Sequence, residues 1–366
     1  TAANVKQGGT MKIASIAPSS PLDSIKMVDL AAYGLIAQCY EFLVYTGGDL
    51  QLKAGLAEKW EPNADGSEWT FTLRQGVTWQ DGSPFTTADV ISTMERLVKA
   101  GNSALKGVIA AGSVTAKDDK TVVFKLTGPN GNFPYLVSTD NAQASIIPKA
   151  LPDGTTLDKA PNGTGPWKLS KFDAKVGATF VRNDAWWGGK TPLDSVEWVF
   201  FQDLQPQVVA LQSGQVDAIV QFSVTGGEGL LNNANLNIIA LRASTHRQVW
   251  MRTDKGQFKD PKVREALAWT LDRDAMAQSL FKGKADVGSD TVIAPVYPYA
   301  DASLPGRKKD IAKAKSLLAA AGVTNLTATL HAVKLQEVPD LAVLIKGGAE
   351  EAGIKLNVAV EDTGSF

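Results

Sequence analysis

Apolar and polar positions alternate most clearly between Trp69 and Arg74, where Trp69, Phe71 and Leu73 face one way and Thr70, Thr72 and Arg74 the other. That period of two predicts a half-buried strand. Asp65-Gly66, Gln75-Gly76 and Asp81-Gly82-Ser83-Pro84 punctuate the stretch as turns. Thr86, with Asp89 three residues on, then starts a helix whose apolar stripe is Val90, Ile91, Met94, Leu97 and Val98. The same reading gives a first strand at 11–16, a helix over 31–43 ending near Gly47-Gly48, and a hairpin at 114–126 turning on Asp118-Asp119. Strands follow at 178–182 and 195–201, then a helix from Asp203 to Gly214 with Pro206 in its first turn, and a strand at 216–220. Two further strands are expected at 236–241 and 248–253. Asp260-Pro261 is an N-cap and first-turn proline for a helix with Val263, Ala266, Leu267 and Leu271 inward. Helix 310–321, strand 326–332, helix 338–352 and strand 354–360 close the chain as a βαβ unit, which implies a parallel sheet and an α/β class.

With 366 residues, 44% hydrophobic and 20% charged, the chain can build more than one core, and two or three domains are expected. A formal net charge of −1, with both signs dispersed, leaves no electrostatic footprint for nucleic acid. No apolar run is long enough to span a bilayer. The opening TAANVKQGGT begins with Thr1 and is polar, which suggests a processed start and a short tether. The single cysteine, Cys39, admits no intrachain disulfide, and its apolar neighbours favour a packing role over a pocket wall or a reactive thiol. His246 and His331 lie far apart, so neither a metal nor any other cofactor is expected.

The run from Gly55 to Val90 carries more than secondary structure. Gly55, Leu56, Ala57, Trp60, Asp65, Gly66, Trp69 to Phe71, Leu73, Arg74, Gly76, Val77, Asp81, Gly82, Pro84 to Thr86, Asp89 and Val90 resemble the signature of the extracellular solute-binding proteins of family 5. Further resemblances are the IIPK step at 146–149, PNGTGPWKL at 161–169, RNDAWWGGKTPLD at 182–194, LQSGQVDAIV at 211–220 and DPKVREALAWTLDRDAM at 260–276. The family comprises peptide, nickel and opine receptors of ABC importers. The resemblance implies a two-lobed periplasmic-binding-protein-like fold (type II, cluster C) with an extra β-rich subdomain. The expected division is 1–47 with 165–255 as lobe I, 48–164 as the β-rich subdomain, and 256–366 as lobe II, incomplete at its C-terminus because the family continues further. It also implies an extracytoplasmic location, periplasmic or at the cell surface through a possible N-terminal lipid anchor, a monomer, ABC permease subunits as partners, and capture of a small molecule or peptide in an interlobe cleft that closes on it. A di- or oligopeptide leads the expected solutes, with oligosaccharide, opine and nickel or haem chelate as alternatives.

Candidate contacts follow from where strands end. Open α/β sheets bind ligands at the carboxyl ends of their strands. Ser19, Ser20 and Pro21 follow the first strand, and Gln221, Phe222 and Val224 follow the 216–220 strand. His246, Arg247, Gln248 and Trp250 lie where the chain is expected to leave lobe I, and Tyr40 and Asn141 complete the set. Arg247, with Arg252, could pair with an anionic group or sit in water; Trp250 could stack on a solute or pack at a hinge. No catalytic residue is expected. Ser279 with Lys282 and Ser103 with Lys106 satisfy an SxxK spacing, but Lys190-Thr191-Pro192 is the nearest approach to a KTG element and no SDN partner exists, leaving an SxxK hydrolase as the different-class alternative.

Overall fold

The computed structural model describes residues 6–240, 246–293, 297, 300–304 and 306–362. The chain divides into two compact units, 1–220 and 221–366. The stretch 221–255, expected with the first lobe, clusters with the second unit.

Unit 1 runs β1 (Thr10–Ile16), α1 (Leu30–Cys39), β2 (Val44–Thr46), β3 (Leu52–Ala54), β4 (Ala57–Pro62), β5 (Glu68–Leu73), α2 (Thr87–Ala100), β6 (Val114–Asp118), β7 (Thr121–Lys125), α3 (Phe133–Leu136), β8 (Trp167–Asp173), β9 (Gly177–Arg182), β10 (Ser195–Phe201), α4 (Leu204–Gln212) and β11 (Ala218–Ile219). One sheet has the order β11-β1-β10-β9-β8, with β1 parallel to both its neighbours and β9 antiparallel to both of its own. The signature stretch supplies β4 and β5 of a second, antiparallel sheet, β4-β5-β7-β6, which the hairpin β6–β7 completes. The predicted alternation holds in β5, where Trp69, Phe71 and Leu73 are buried. Asp65 and Asp81 each accept from a serine two residues on, fixing the two turns. Asp89 accepts from the Thr86 backbone N–H at 2.8 Å, and Gly101 ends α2 at φ 71°.

Both sheets share a core. Leu35, Ile36 and Cys39 of α1, Phe71, Phe124 and Phe133 of the β-rich part, and Phe180 and Trp198 of the large sheet belong to one buried cluster. The β-rich stretch therefore has no separate core. The junction is tight at Gly163 and Gly165: a Cβ on either would lie 2.0 Å or 2.7 Å from the Cys39 carbonyl oxygen, which Gly165 N–H meets at 2.8 Å. Helix α1 stops there, short of the expected 43, as Tyr40 turns extended and carries Glu41 inward. Glu41 is 3% exposed and accepts from the indoles of Trp186 at 3.2 Å and Trp187 at 2.8 Å. Arg74 stacks on Trp187 at 4.0 Å but ion-pairs with Glu58, so the donors that reach Glu41 are neutral.

Unit 2 comprises α5 (Glu228–Leu231), α6 (Pro261–Trp269), α7 (Arg273–Phe281), α8 (Ile311–Ala320), β12 (Leu326–Val333), α9 (Val338–Glu351) and β13 (Ile354–Glu361). The βαβ closure is as expected, with β12 and β13 parallel in a two-stranded sheet. Asp260, Asp272 and Asp310 cap α6, α7 and α8. Its core joins Val263, Ala266, Leu267, Leu318, Ile345 and Ile354. The two strands expected at 236–241 and 248–253 are not formed: residues 236–240 carry no ladder, and Leu241 lies outside the described residues. Residues 248–253 keep the alternation, with Val249 and Met251 packed on the core and Gln248, Trp250 and Arg252 outward, but lack a ladder partner among the described residues. Alternation reports a buried face, whereas a strand also requires a neighbour.

Two outcomes are expected of unit 1. Burial pushes the Glu41 carboxyl up despite its indole donors. A carboxyl raised by folding contributes stability fully below its ordinary range and loses it as pH rises through the folded value. Thermal melts at pH 5 and pH 8 should therefore differ more for the wild type than for Glu41→Gln; equal differences would contradict the assignment. Gly163→Ala should cost roughly 2–3 kcal/mol in denaturant unfolding, because backbone faces the added methyl. A cost below about 0.5 kcal/mol would show that the junction yields.

Candidate functional site

Within unit 2 lies a cavity of about 820 Å³. Val249, Met251, Leu267, Leu271, Met276, Leu280, Leu341 and Ile345 give it an apolar lining, and His246, Arg247, Gln248, Arg273, Glu337 and the loop 283–293 supply its polar groups. Helices α6, α7 and α9 each turn an inward stripe to it, which is why residues spaced by three and four recur in the lining.

Along one wall the chain from 246 to 252 runs with successive side chains to opposite sides. His246, Gln248 and Trp250 form a connected row: Trp250 Nε1 donates to Gln248 Oε1 at 2.6 Å, and Gln248 Nε2 meets His246 Nε2. Contact between positions two apart is the geometry of extended chain. On the opposite side Arg247 donates to Glu337 Oε1 at 2.7 Å and to Gln336 Oε1 at 2.6 Å, while Val249 and Met251 pack inward. Among the described residues the backbone N–H and C=O groups of 247–252 have no main-chain partner. Trp250 is 87% exposed and stands outside the cavity lining. Arg252 is exposed and paired with Asp254 at 2.7 Å.

The other sequence candidates fall elsewhere. Gln221, Phe222 and Val224 form a compact turn in unit 2, with Ser223 Oγ accepting from Gly226 N–H and the Phe222 ring against Gly227. Ser19 and Ser20 serve the start of α1: Asp29 Oδ2 accepts from both their backbone N–H groups and both hydroxyls, while its Oδ1 caps the helix through Ala32 N–H. Pro21 is exposed beside them. Tyr40 is 2% exposed in the unit 1 core, where burial raises its phenol. Asn141 is buried and exchanges hydrogen bonds with Asn102 at 3.2 Å, besides donating to the Leu136 carbonyl. Tyr40 and Asn141 are thus placed as core groups. Cys39 is fully buried, with its thiol pushed up to about 12, which fits the expected packing role.

Sequence reasoning missed Arg273, Glu337, Asp290 and the Met276 to Leu280 face. The only local signal was the Asp272 cap, which orients the first turn of α7 and with it Arg273. No group of three or more His, Cys, Asp or Glu side chains able to hold a metal occurs among the described residues. No described helix is long and apolar enough to cross a membrane.

The mixed sheet of unit 1 and the βαβ closure of unit 2 define a periplasmic-binding-protein fold. The Helicobacter pylori periplasmic binding protein DppA, solved with the peptide STSA, superposes with a TM-score of 0.83 over 98% of this chain and 75% of its own, at 24% identity. The model of the bacterial extracellular solute-binding proteins, family 5 (middle), matches residues 51–366, and the chain belongs to that family. The nickel-binding periplasmic protein of Escherichia coli K12 is 28% identical over 298 residues, covering 78% of this chain and 56% of the relative. The glutathione-binding protein GsiB of Salmonella paratyphi A is 30% identical over 307 residues, covering 82% and 59%. The chain thus spans less than three-fifths of the length of these curated relatives.

Glu337 is 4% exposed and has Arg247 as its charged partner. Arg247→Ala should therefore destabilise unit 2 by about 1–3 kcal/mol, and Arg247→Ala with Glu337→Gln should recover most of that loss. A double-mutant cycle in urea with no coupling would refute the pairing.

Proposed function

We propose that this chain belongs to an extracytoplasmic receptor that captures a small solute, with a di- or oligopeptide favoured, and delivers it to an ABC permease. Family membership supports the receptor class. The observation that carries the peptide reading is the wall at 247–252, whose main chain has no main-chain partner among the described residues and runs beside an apolar cavity with an exposed tryptophan next to it. An extended peptide would satisfy those backbone groups as an added strand and place alternate side chains over the Met and Leu floor. Trp250 offers a broad aromatic face at little entropic cost. A periplasmic or lipid-anchored location and a monomeric state belong to the same proposal.

The SxxK alternative lacks support from geometry. Ser279 and Lys282 are both exposed at the end of α7, no hydrogen bond joins them among the described residues, and Lys282 lies 3.9 Å from Glu228. A lysine acting as base must be desolvated and in contact with the nucleophile.

Native mass spectrometry of the protein recovered from its producing cells reads the solute directly. A peptide mass is expected; a sugar, opine, nickel chelate or haem would replace that solute class. Trp250→Ala should weaken binding of the recovered solute by about 1–3 kcal/mol. Steady peptide or ester hydrolysis abolished by Ser279→Ala would overturn the receptor reading altogether.

A further inference from the structure

Two guanidinium groups in unit 2 converge on one carboxylate. Arg273 Nη2 lies 2.5 Å from Asp290 Oδ1, and Arg307 Nε lies 2.8 Å from Asp290 Oδ2. The arginines have supports of their own. Arg273 Nη1 donates to the Arg307 carbonyl at 3.1 Å, tying the two together. Arg307 lies over the Trp269 ring at 4.7 Å, and its buried Nη1, 3.5 Å from Glu265 Oε1, makes no hydrogen bond among the described residues. Glu265 is itself fixed by Trp269 Nε1 at 3.1 Å. Asp290 is held differently: it belongs to the loop 283–293, which has neither helix nor strand, and sits at φ 57°. That loop and Arg273 both line the cavity.

The geometry points to Arg273 and Arg307 as a receptor for a carboxylate on the solute, with Asp290 as an internal stand-in that an arriving carboxylate displaces. This deepens the proposed function and rests on the cavity of unit 2 as the solute site. Charge supports the exchange. With Asp290 in place two guanidiniums face two carboxylates, Asp290 and Glu265; with Asp290 turned away one positive charge is left over, enough for one monoanion. A second carboxylate finds the same fork of donors plus the unused Arg307 Nη1. A neutral solute cannot make the exchange, because it would leave the guanidinium pair short of an acceptor. Asp290 thus selects for solutes that bring a free carboxylate, as an unblocked peptide or an acidic small molecule does, against amides and neutral sugars.

Acetate is the probe. Its dissociation constant, read from the rise in unfolding temperature over chloride at matched ionic strength, should be at least about tenfold tighter in Asp290→Ala than in the wild type. The gain should vanish in Asp290→Ala with Arg273→Gln, and acetamide should give none. Phenylglyoxal labelling of Arg273 and Arg307, mapped by peptide mass, should rise in Asp290→Ala and be suppressed by acetate. If Asp290→Ala does not fold, Asp290→Asn serves, since it keeps the shape and removes the charge. Equal responses to acetate and chloride, or an acetate gain that survives Arg273→Gln, would overturn the proposal. Failure of the receptor reading looks different: acetate would still fill the arginine pair while the protein retained no solute.

Discussion

Unit 1 depends on how closely the loop 163–165 can approach the end of α1. The Cys39 carbonyl lies where a side chain at either glycine would have to go, and that proximity lets the Gly165 N–H close on it while Gln80 N–H meets the Gly163 carbonyl at 3.0 Å. Three segments far apart in sequence thereby lock at one point: the first helix, the turn that follows Trp79, and the strand that begins at Trp167. Because the contact is backbone on backbone, it has almost no tolerance, and the packing on either side follows from it. The β-rich sheet cannot swing as a separate body when its phenylalanines and the leucines of α1 fill one interior.

The same junction explains the buried carboxylate next to it. Once α1 must stop at Cys39, the chain carries Glu41 into the interior, where two indole N–H groups and the Tyr45 hydroxyl provide its hydrogen bonds. Neutral donors satisfy the oxygens without cancelling the charge, so burial still dominates the carboxyl's titration. Trp186 and Trp187 are consequently polar partners as well as packing groups. A family resemblance at RNDAWWGGK marks them without revealing that role.

Unit 2 is organised by what its extended wall lacks. Val249 and Met251 are held on the core by their side chains, while their backbone groups find no ladder among the described residues, so the wall has the side-chain order of a strand and the open hydrogen-bonding of an edge. Around the adjacent cavity the fixed charges are arranged unequally. Arg247 is committed to a nearly buried glutamate, whereas Arg273 and Arg307 share an aspartate from an irregular loop. The two arrangements differ in how readily a carboxylate can be exchanged, and that difference gives the cavity a sense of charge.

The chain by itself determined whatever depends on neighbours a few residues away. The turn at Asp65-Gly66, the alternation of β5, the Thr86 to Asp89 cap and the proline start of α6 are short-range matters of backbone preference and period, and each was legible as written. The signature residues of the family are of this kind, so fold class and family could be read from them. What the tertiary structure alone decided are relations between distant residues. Nothing local distinguishes a Ser-Pro loop that binds a ligand from one whose serines hold the Asp29 cap, or an Asn141 at a surface from one paired with Asn102. Nothing local unites Arg273, Asp290 and Arg307, which are separated by whole turns and loops. Burial and convergence are properties of the folded chain because each is set by which distant segment arrives, and a period of two or 3.6 carries no information about arrivals.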